Sequence, residues 1–212
     1  MPAKLSAEVL PPAFYPVSLN LVGRSCVVIG PEDDREAVEK VRDLREVGAN
    51  VTWLKDAAVL QDADVTGAFF VIATPQDAAL AARLRALADA HKFLLCAIDQ
   101  PAYGFVAMQA TVKSGRARIG ISTGGVAPRV GGALRAALQG ALDDTFARFL
   151  ECFAHQRRLR RAEHPDDSRA RRAAMTAAAD GFEVTVDVRY PRWFVDELAR
   201  LGPAVASTEG ER

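Results

Sequence analysis

Histidine and cysteine are scarce in this sequence, three of each among 212 residues. His91, His155 and His164 stand far apart, and none has a second ligand at metal spacing, so no resident metal site is expected. Cys26, Cys96 and Cys152 are equally scattered, each inside an apolar pattern, which predicts buried, reduced thiols rather than a disulfide framework. Net charge is missing as well. The 27 basic and 27 acidic side chains cancel, which removes any bulk electrostatic case for nucleic acid or an anionic membrane as partner. No apolar run approaches the ~20 residues that a membrane helix requires. The stretch from Met1 to Pro12 lacks the basic-then-apolar layout of a signal peptide, so a cytoplasmic location is expected.

What the sequence does have is apolar matter in short, patterned pieces: half of the residues are hydrophobic and a quarter charged, the balance of a chain that buries a sizeable core. Residues 1–13 carry Pro2, Pro11 and Pro12 and are expected to form a loose arm. The alternation in Phe14 to Leu21 predicts a short edge strand that tolerates Pro16. Ser25 to Gly30 is then a buried strand, and Ala37, Val41, Leu44 and Val47 keep helical spacing from Asp34 until Gly48 closes the helix. Asn50 to Leu54 is the next strand, completing a β-α-β unit. After a weakly patterned segment, Ala68 to Ala73 reads as a strand and Asp77 to Ala90 as a helix. Strand and helix thus alternate over the first hundred residues, which predicts a parallel α/β sheet.

The chain is organised around residues 92–128. The unbroken apolar run Phe93 to Ile98 ends at Asp99 and Pro101, as a strand covered on both faces does when it runs out into a loop. Loops at the carboxyl ends of parallel strands are where open α/β sheets bind ligands, which places Asp99 in a crevice. Its alternative reading is a turn aspartate at a strand end. Arg118 to Ser122 alternates like a half-buried strand, Gly124-Gly125 breaks it, and Pro128 opens a helix at the position proline tolerates best. From Val130 to Phe153 the apolar positions keep helical spacing in one long helix or two in tandem, with an apolar face left over for a partner subunit. Gln156 to Arg161 is basic, read either as a solvated helix face or as a phosphate or carboxylate site. Pro165 to Ser168 caps a further helix through Met175, and the alternation in Gly181 to Tyr190 reads as a strand that lacks an identifiable pairing edge. The last ten residues read as frayed. The expected layout is a Rossmann-like domain over 14–112, a dimerisation region over 113–150, and a mostly helical carboxyl-terminal region over 151–200.

Several of these pieces together resemble a known family. Tyr15-Pro16, Leu19-Asn20-Leu21 before Gly23-Arg24, Val27-Val28-Ile29-Gly30, Ile98-Asp99-Gln100-Pro101, and Ile119 to Gly125 before Pro128 are similar to precorrin-2 dehydrogenase/sirohydrochlorin ferrochelatase, the amino-terminal module of siroheme synthase. The resemblance covers roughly residues 14 to 175. It implies NAD-dependent dehydrogenation of precorrin-2 to sirohydrochlorin and, in some members, insertion of ferrous iron. It also implies an intertwined homodimer that holds the tetrapyrrole. On the matching positions it makes Asp99 the catalytic acid/base. Gly30, Ile29 and Thr74 become cofactor-binding residues, and Thr123, with Ser122 and Gly124 beside it, a substrate-binding hydroxyl whose alternative reading is a helix-start residue. Arg116 is a further substrate-binding candidate through two-point contacts with a carboxylate, its alternative being a solvated surface residue.

The first loop departs from that pattern. Where the family has a glycine-rich turn for the NAD pyrophosphate, this sequence has Gly30-Pro31-Glu32-Asp33-Asp34. Proline removes a donor, side chains replace the glycines that permit close approach, and the carboxylates repel phosphate, so weak NAD binding is expected. The leading reading is a precorrin-2 dehydrogenase-like enzyme of siroheme biosynthesis, and its rivals are a chelatase alone, a tetrapyrrole-binding or carrier protein that works without NAD, and a regulatory dimer with no tetrapyrrole ligand.

Overall fold

The computed structural model describes residues 14–201, and the expected arm over residues 1–13 and the frayed last ten residues lie outside them. Four parallel strands, β1 (Ser25–Ile29), β2 (Asn50–Leu54), β3 (Phe70–Ala73) and β4 (Leu94–Ala97), form a sheet in the order β2-β1-β3-β4. The crossover helices α1 (Arg35–Glu46) and α2 (Ala78–His91) cover its two faces. The strand alternation assigns the side chains: Val27, Ile29, Val71, Ala73 and Leu95 pack with Leu80, Leu84 and Ala88 of α2. Cys26, Val28, Phe70, Ile72 and Cys96 pack with Ala37, Val41 and Leu44 of α1. Burying a side chain such as Leu84 contributes about 1.5–3 kcal/mol, so the two layers hold this Rossmann-like sheet from both sides.

Local chemistry sets the helix ends. The Asp34 carboxylate accepts from the Glu36 amide at 2.9 Å at the start of α1, and Asp77 accepts from Ala79 and Leu80 at the start of α2. Gly48, at φ 83°, closes α1, and Lys92 closes α2 in the left-handed region.

Beyond the sheet, β5 (Ala110–Ser114) and β6 (Ala117–Ile121) form an antiparallel hairpin around Gly115, at φ 51°. Lys113 pairs with Asp43 at 2.9 Å and Arg118 with Glu46 at 2.9 Å, tying the hairpin to α1. Burial pushes the Asp43 carboxyl up, but the hydrogen bond and charge of Lys113, with Arg42, outweigh it and hold the group below its usual range. Then come α3 (Pro128–Ala141), with Pro128 in its first turn, and α4 (Asp144–Glu163). The long apolar stripe therefore belongs to two tandem helices. Contacts divide the chain into Met1–Glu151 and Cys152–Arg212. The second unit holds the end of α4, then α5 (Ser168–Ala178), capped by Asp167, and α6 (Arg192–Leu201).

Three expectations need correction. Phe14 to Leu21 forms no strand: Pro16 lacks an amide proton and no neighbour among the described residues supplies a ladder, although Leu21 is buried against α1's layer. Gly181 to Tyr190 is not a strand either, because Val184, Val186 and Val188 are all more than half exposed and the segment pairs with nothing among the described residues. Cys152 is exposed, unlike buried Cys26 and Cys96, because nothing among the described residues covers its face of α4. No described helix is long and apolar enough to cross a membrane.

Candidate functional site

Three strand ends converge at the carboxyl edge of the parallel sheet. The chain leaves β1 at Gly30, β3 at Thr74 and β4, past Ile98, at Asp99. The Thr74 amide donates to the Ile29 carbonyl at 3.0 Å, which brings Ile29, Gly30 and Thr74 together. Asp99 is exposed, and the Gln76 side-chain amide donates to its carboxylate at 3.0 Å. Gln100 donates to the Pro75 carbonyl at 3.2 Å, so the loops after β3 and β4 are stitched by two bonds.

Asp99 also stands in the left-handed backbone region at φ 57°, which aspartate tolerates better than most residues. Strained residues of this kind persist only where their surroundings fix them. Here the fixing is visible: the amides of Phe105 and Val106 both donate to the Leu95 carbonyl, and Arg85 lies 3.9 Å over the Phe105 ring. The segment after Asp99 is thereby folded back along β4. Just below, burial pushes the Cys96 thiol up to about 11, so it is inert beside the aspartate at neutral pH.

The dinucleotide position is built differently from a phosphate cradle. In an open α/β fold the pyrophosphate lies on the first helix N-terminus, approached through glycines. Here the Asp34 carboxylate occupies that N-terminus, taking the Glu36 amide and the buried Thr74 hydroxyl. The Thr74 hydrogen bond, assisted by the helix amides, holds the Asp34 carboxyl below its usual range, so it is an anion throughout neutral pH. A Cβ on Gly30 would fall 2.2 Å from the Thr74 hydroxyl oxygen, so the open approach that a glycine leaves is filled from within. Trp53 covers the same turn by donating to the Gly30 carbonyl at 2.8 Å, and Lys55 pairs with Glu32 at 2.5 Å across its mouth. These residues do not fit an NAD pyrophosphate at α1.

The second cluster is the loop between β6 and α3. Ser122 accepts from the Gly124 amide at 3.3 Å, Thr123 accepts through its carbonyl from Val126, and Gly124 and Gly125 both take positive φ. Ala127 gives α3 no side-chain cap, which leaves that helix start free of an internal carboxylate, unlike α1 and α2. Among the described residues no hydrogen bond joins this loop to Asp99 or Gly30. Arg116 stands apart from this loop: it sits in the β5–β6 turn, and the six residues to Ser122 span roughly 20 Å of strand. Sequence reasoning missed Trp53 and Gln76, which no periodicity marks, since each works only through the strand end beside it.

Residues 17–110 match a family model described as "Putative NAD(P)-binding". The siroheme synthase of Xylella fastidiosa (strain M12) is 31% identical over 189 residues, 79% of this chain and 39% of the relative. The siroheme synthase of Gluconacetobacter diazotrophicus is 29% identical over 186 residues, 76% of this chain and 38% of the relative. The chain therefore spans about two-fifths of the length of these curated relatives. Among solved structures, SirC, a precorrin-2 dehydrogenase, superposes with a TM-score of 0.60 at 19% identity, covering 79% of this chain and 90% of that one. That similarity establishes the fold.

Proposed function

The chain belongs to the precorrin-2 dehydrogenase/sirohydrochlorin ferrochelatase family, the amino-terminal module of siroheme synthases, and on that premise we propose that it acts on a tetrapyrrole in siroheme biosynthesis, with Asp99 as its proton-transferring carboxylate. The residues present favour the chelation step. In that step ferrous iron is the substrate: pyrrole nitrogens release their protons as nitrogen–iron bonds form, and siroheme leaves. Asp99, exposed at the strand end and oriented by Gln76, accepts a pyrrole proton and returns it to solvent. Thr123 and the uncapped start of α3 offer a hydroxyl and amides to a substrate carboxylate.

The observation that carries this choice is the Asp34 carboxylate seated at the α1 N-terminus, where the dehydrogenation would need the cofactor's phosphates. The dehydrogenase reading keeps one specific support, the match of residues 17–110 to an NAD(P)-binding family together with the fold of a precorrin-2 dehydrogenase. We further propose a homodimer formed through α3 and the hairpin. Gly131 is the buried residue of α3, while Val130 and Val126 are exposed at 54% and 70%, an apolar face that a second copy would cover.

The test is siroheme formation from sirohydrochlorin and ferrous iron without NAD, comparing wild type with Asp99→Ala. NAD-independent turnover that falls about a hundredfold in the variant supports the reading. Turnover that appears only with NAD, starting from precorrin-2, transfers the assignment to the dehydrogenase.

A further inference from the structure

The carboxyl-terminal unit holds an arginine-lined cavity. A cavity of about 370 Å³ lies between the end of α4 and α5, and five arginines line it: Arg157, Arg160, Arg161, Arg171 and Arg172. Phe153 and Met175 give it apolar surface. The sequence spacing explains the gathering. Phe153, Arg157 and Arg161 follow at four-residue steps on α4, and Ser168, Arg171 or Arg172, and Met175 recur at helical spacing on α5, so each helix turns one ridge toward the cavity.

Two of the five arginines have structural employment. Arg160 pairs with Glu163, and Arg171 donates at 2.6 Å to the carbonyls of His164 and Pro165, closing the end of α4. Arg157, Arg161 and Arg172 make no ion pair among the described residues. Arg157 and Arg161 are like charges four residues apart on α4, and Arg172 faces them from α5 around the same cavity. Five guanidinium groups gathered at one cavity, three of them with no ion pair among the described residues, offer an anion two-point contacts there.

We propose that this cavity binds the acid side chains of a carboxylate-bearing macrocycle through its own arginines. The proposal rests on the siroheme reading for the identity of the ligand. Arginine forks match carboxylates in two-point contacts, and the Phe153 and Met175 surface suits a ring edge better than it suits a free inorganic anion. The volume lies at the small end of ligand pockets, which run from about 300 to 1,000 Å³, and so admits one edge of a macrocycle with its acid arms.

The experiment is a fluorescence titration of the full chain with uroporphyrin, a porphyrin carrying acetate and propionate arms. Wild type is compared with Arg157→Gln/Arg172→Gln and with Arg158→Gln/Arg169→Gln. The second pair removes the same charge from the same two helices outside the cavity. Glutamine keeps helix propensity close to that of arginine, and equal melting midpoints verify that each variant folds. Binding weakened by about tenfold or more in the cavity variant alone, with affinity that falls as salt rises, supports the site. Equal weakening in both variants, or none in either, overturns it. Citrate binding as tightly as uroporphyrin overturns the macrocycle as occupant. Cavity-dependent uroporphyrin binding in a protein that shows no Asp99-dependent turnover leaves this site standing and removes the catalytic reading, so the two failures are separable.

Discussion

The hydroxyl of Thr74, at the end of β3, donates to the carboxylate of Asp34, 40 residues earlier at the start of α1. The pair exists because β1 and β3 are adjacent in the sheet, with Ile29 opposite Ala73, so the residues just beyond both strands meet. Asp34 is thereby both the cap of α1 and an internal anion on that helix's positive end.

Thr74→Val tests this pair through pH. The Asp34 carboxyl is held low in the folded chain, so its contribution to stability is present above the ordinary carboxylate value, about 3.9, and is lost as pH falls through the lower folded value. The variant should lose about 1 kcal/mol at pH 7, the ordinary net worth of such a bond, and the gap to wild type should narrow in strong acid. Urea midpoints at pH 7 and pH 3 measure both gaps. A gap that stays constant with pH sinks the idea.

Asp99 should separate chemistry from fold. Asp99→Ala places alanine at φ 57° and should cost about 1 kcal/mol, moving the melting midpoint by roughly 2–4 °C. Asp99→Gly accepts that conformation without strain and should melt at or above wild type, yet be as inactive as the alanine variant. A glycine variant that keeps turnover contradicts the role given to the carboxylate.

Much of this architecture was legible because it rests on short-range pattern. The spacing of Ala37, Val41 and Leu44, the helix starts at Asp34 and Asp77, and the unbroken runs of β1, β3 and β4 state their own structure. Alternation was less faithful. It is a necessary mark of a half-buried strand, but pairing decides, so Gly181 to Tyr190 alternates without becoming one while Ala110–Ser114 pairs across Gly115 and does. In the site, residues beside one strand end could be grouped from sequence. Arg116, grouped with Ser122 for its carboxylate chemistry, stands roughly 20 Å of strand away from it, because six residues of extended chain separate the two. The acidic loop after β1 was readable as hostile to phosphate, but its partner Thr74 was not, since no periodicity spans 40 residues.

The thiols should report the packing directly. Cys26 and Cys96 are buried with their ionisation pushed up by desolvation, whereas Cys152 is exposed. A thiol reagent at pH 7 should label one cysteine promptly and the other two only on unfolding. Prompt labelling of Cys96 would show that the layer between α1 and β4 is open.

The exposed face of α3 predicts a dimer. Val130→Arg places a charge on it without touching the sheet, and light scattering should show a mass near two chains for wild type and a shift toward one for the variant. A wild-type mass near one chain at micromolar concentration refutes the assembly.

The central claim is that the Asp34 carboxylate has taken the place of the cofactor phosphates while the tetrapyrrole site remains, and calorimetry tests it most directly. Purified protein is titrated with NAD and, separately, with sirohydrochlorin, and the NAD titration is repeated on Asp34→Asn. Wild type should bind sirohydrochlorin in the micromolar range and NAD at least about a hundredfold more weakly, with Asp34→Asn recovering about tenfold of NAD affinity, the equivalent of 1.4 kcal/mol. Micromolar NAD binding to wild type, unchanged in Asp34→Asn, would contradict the account.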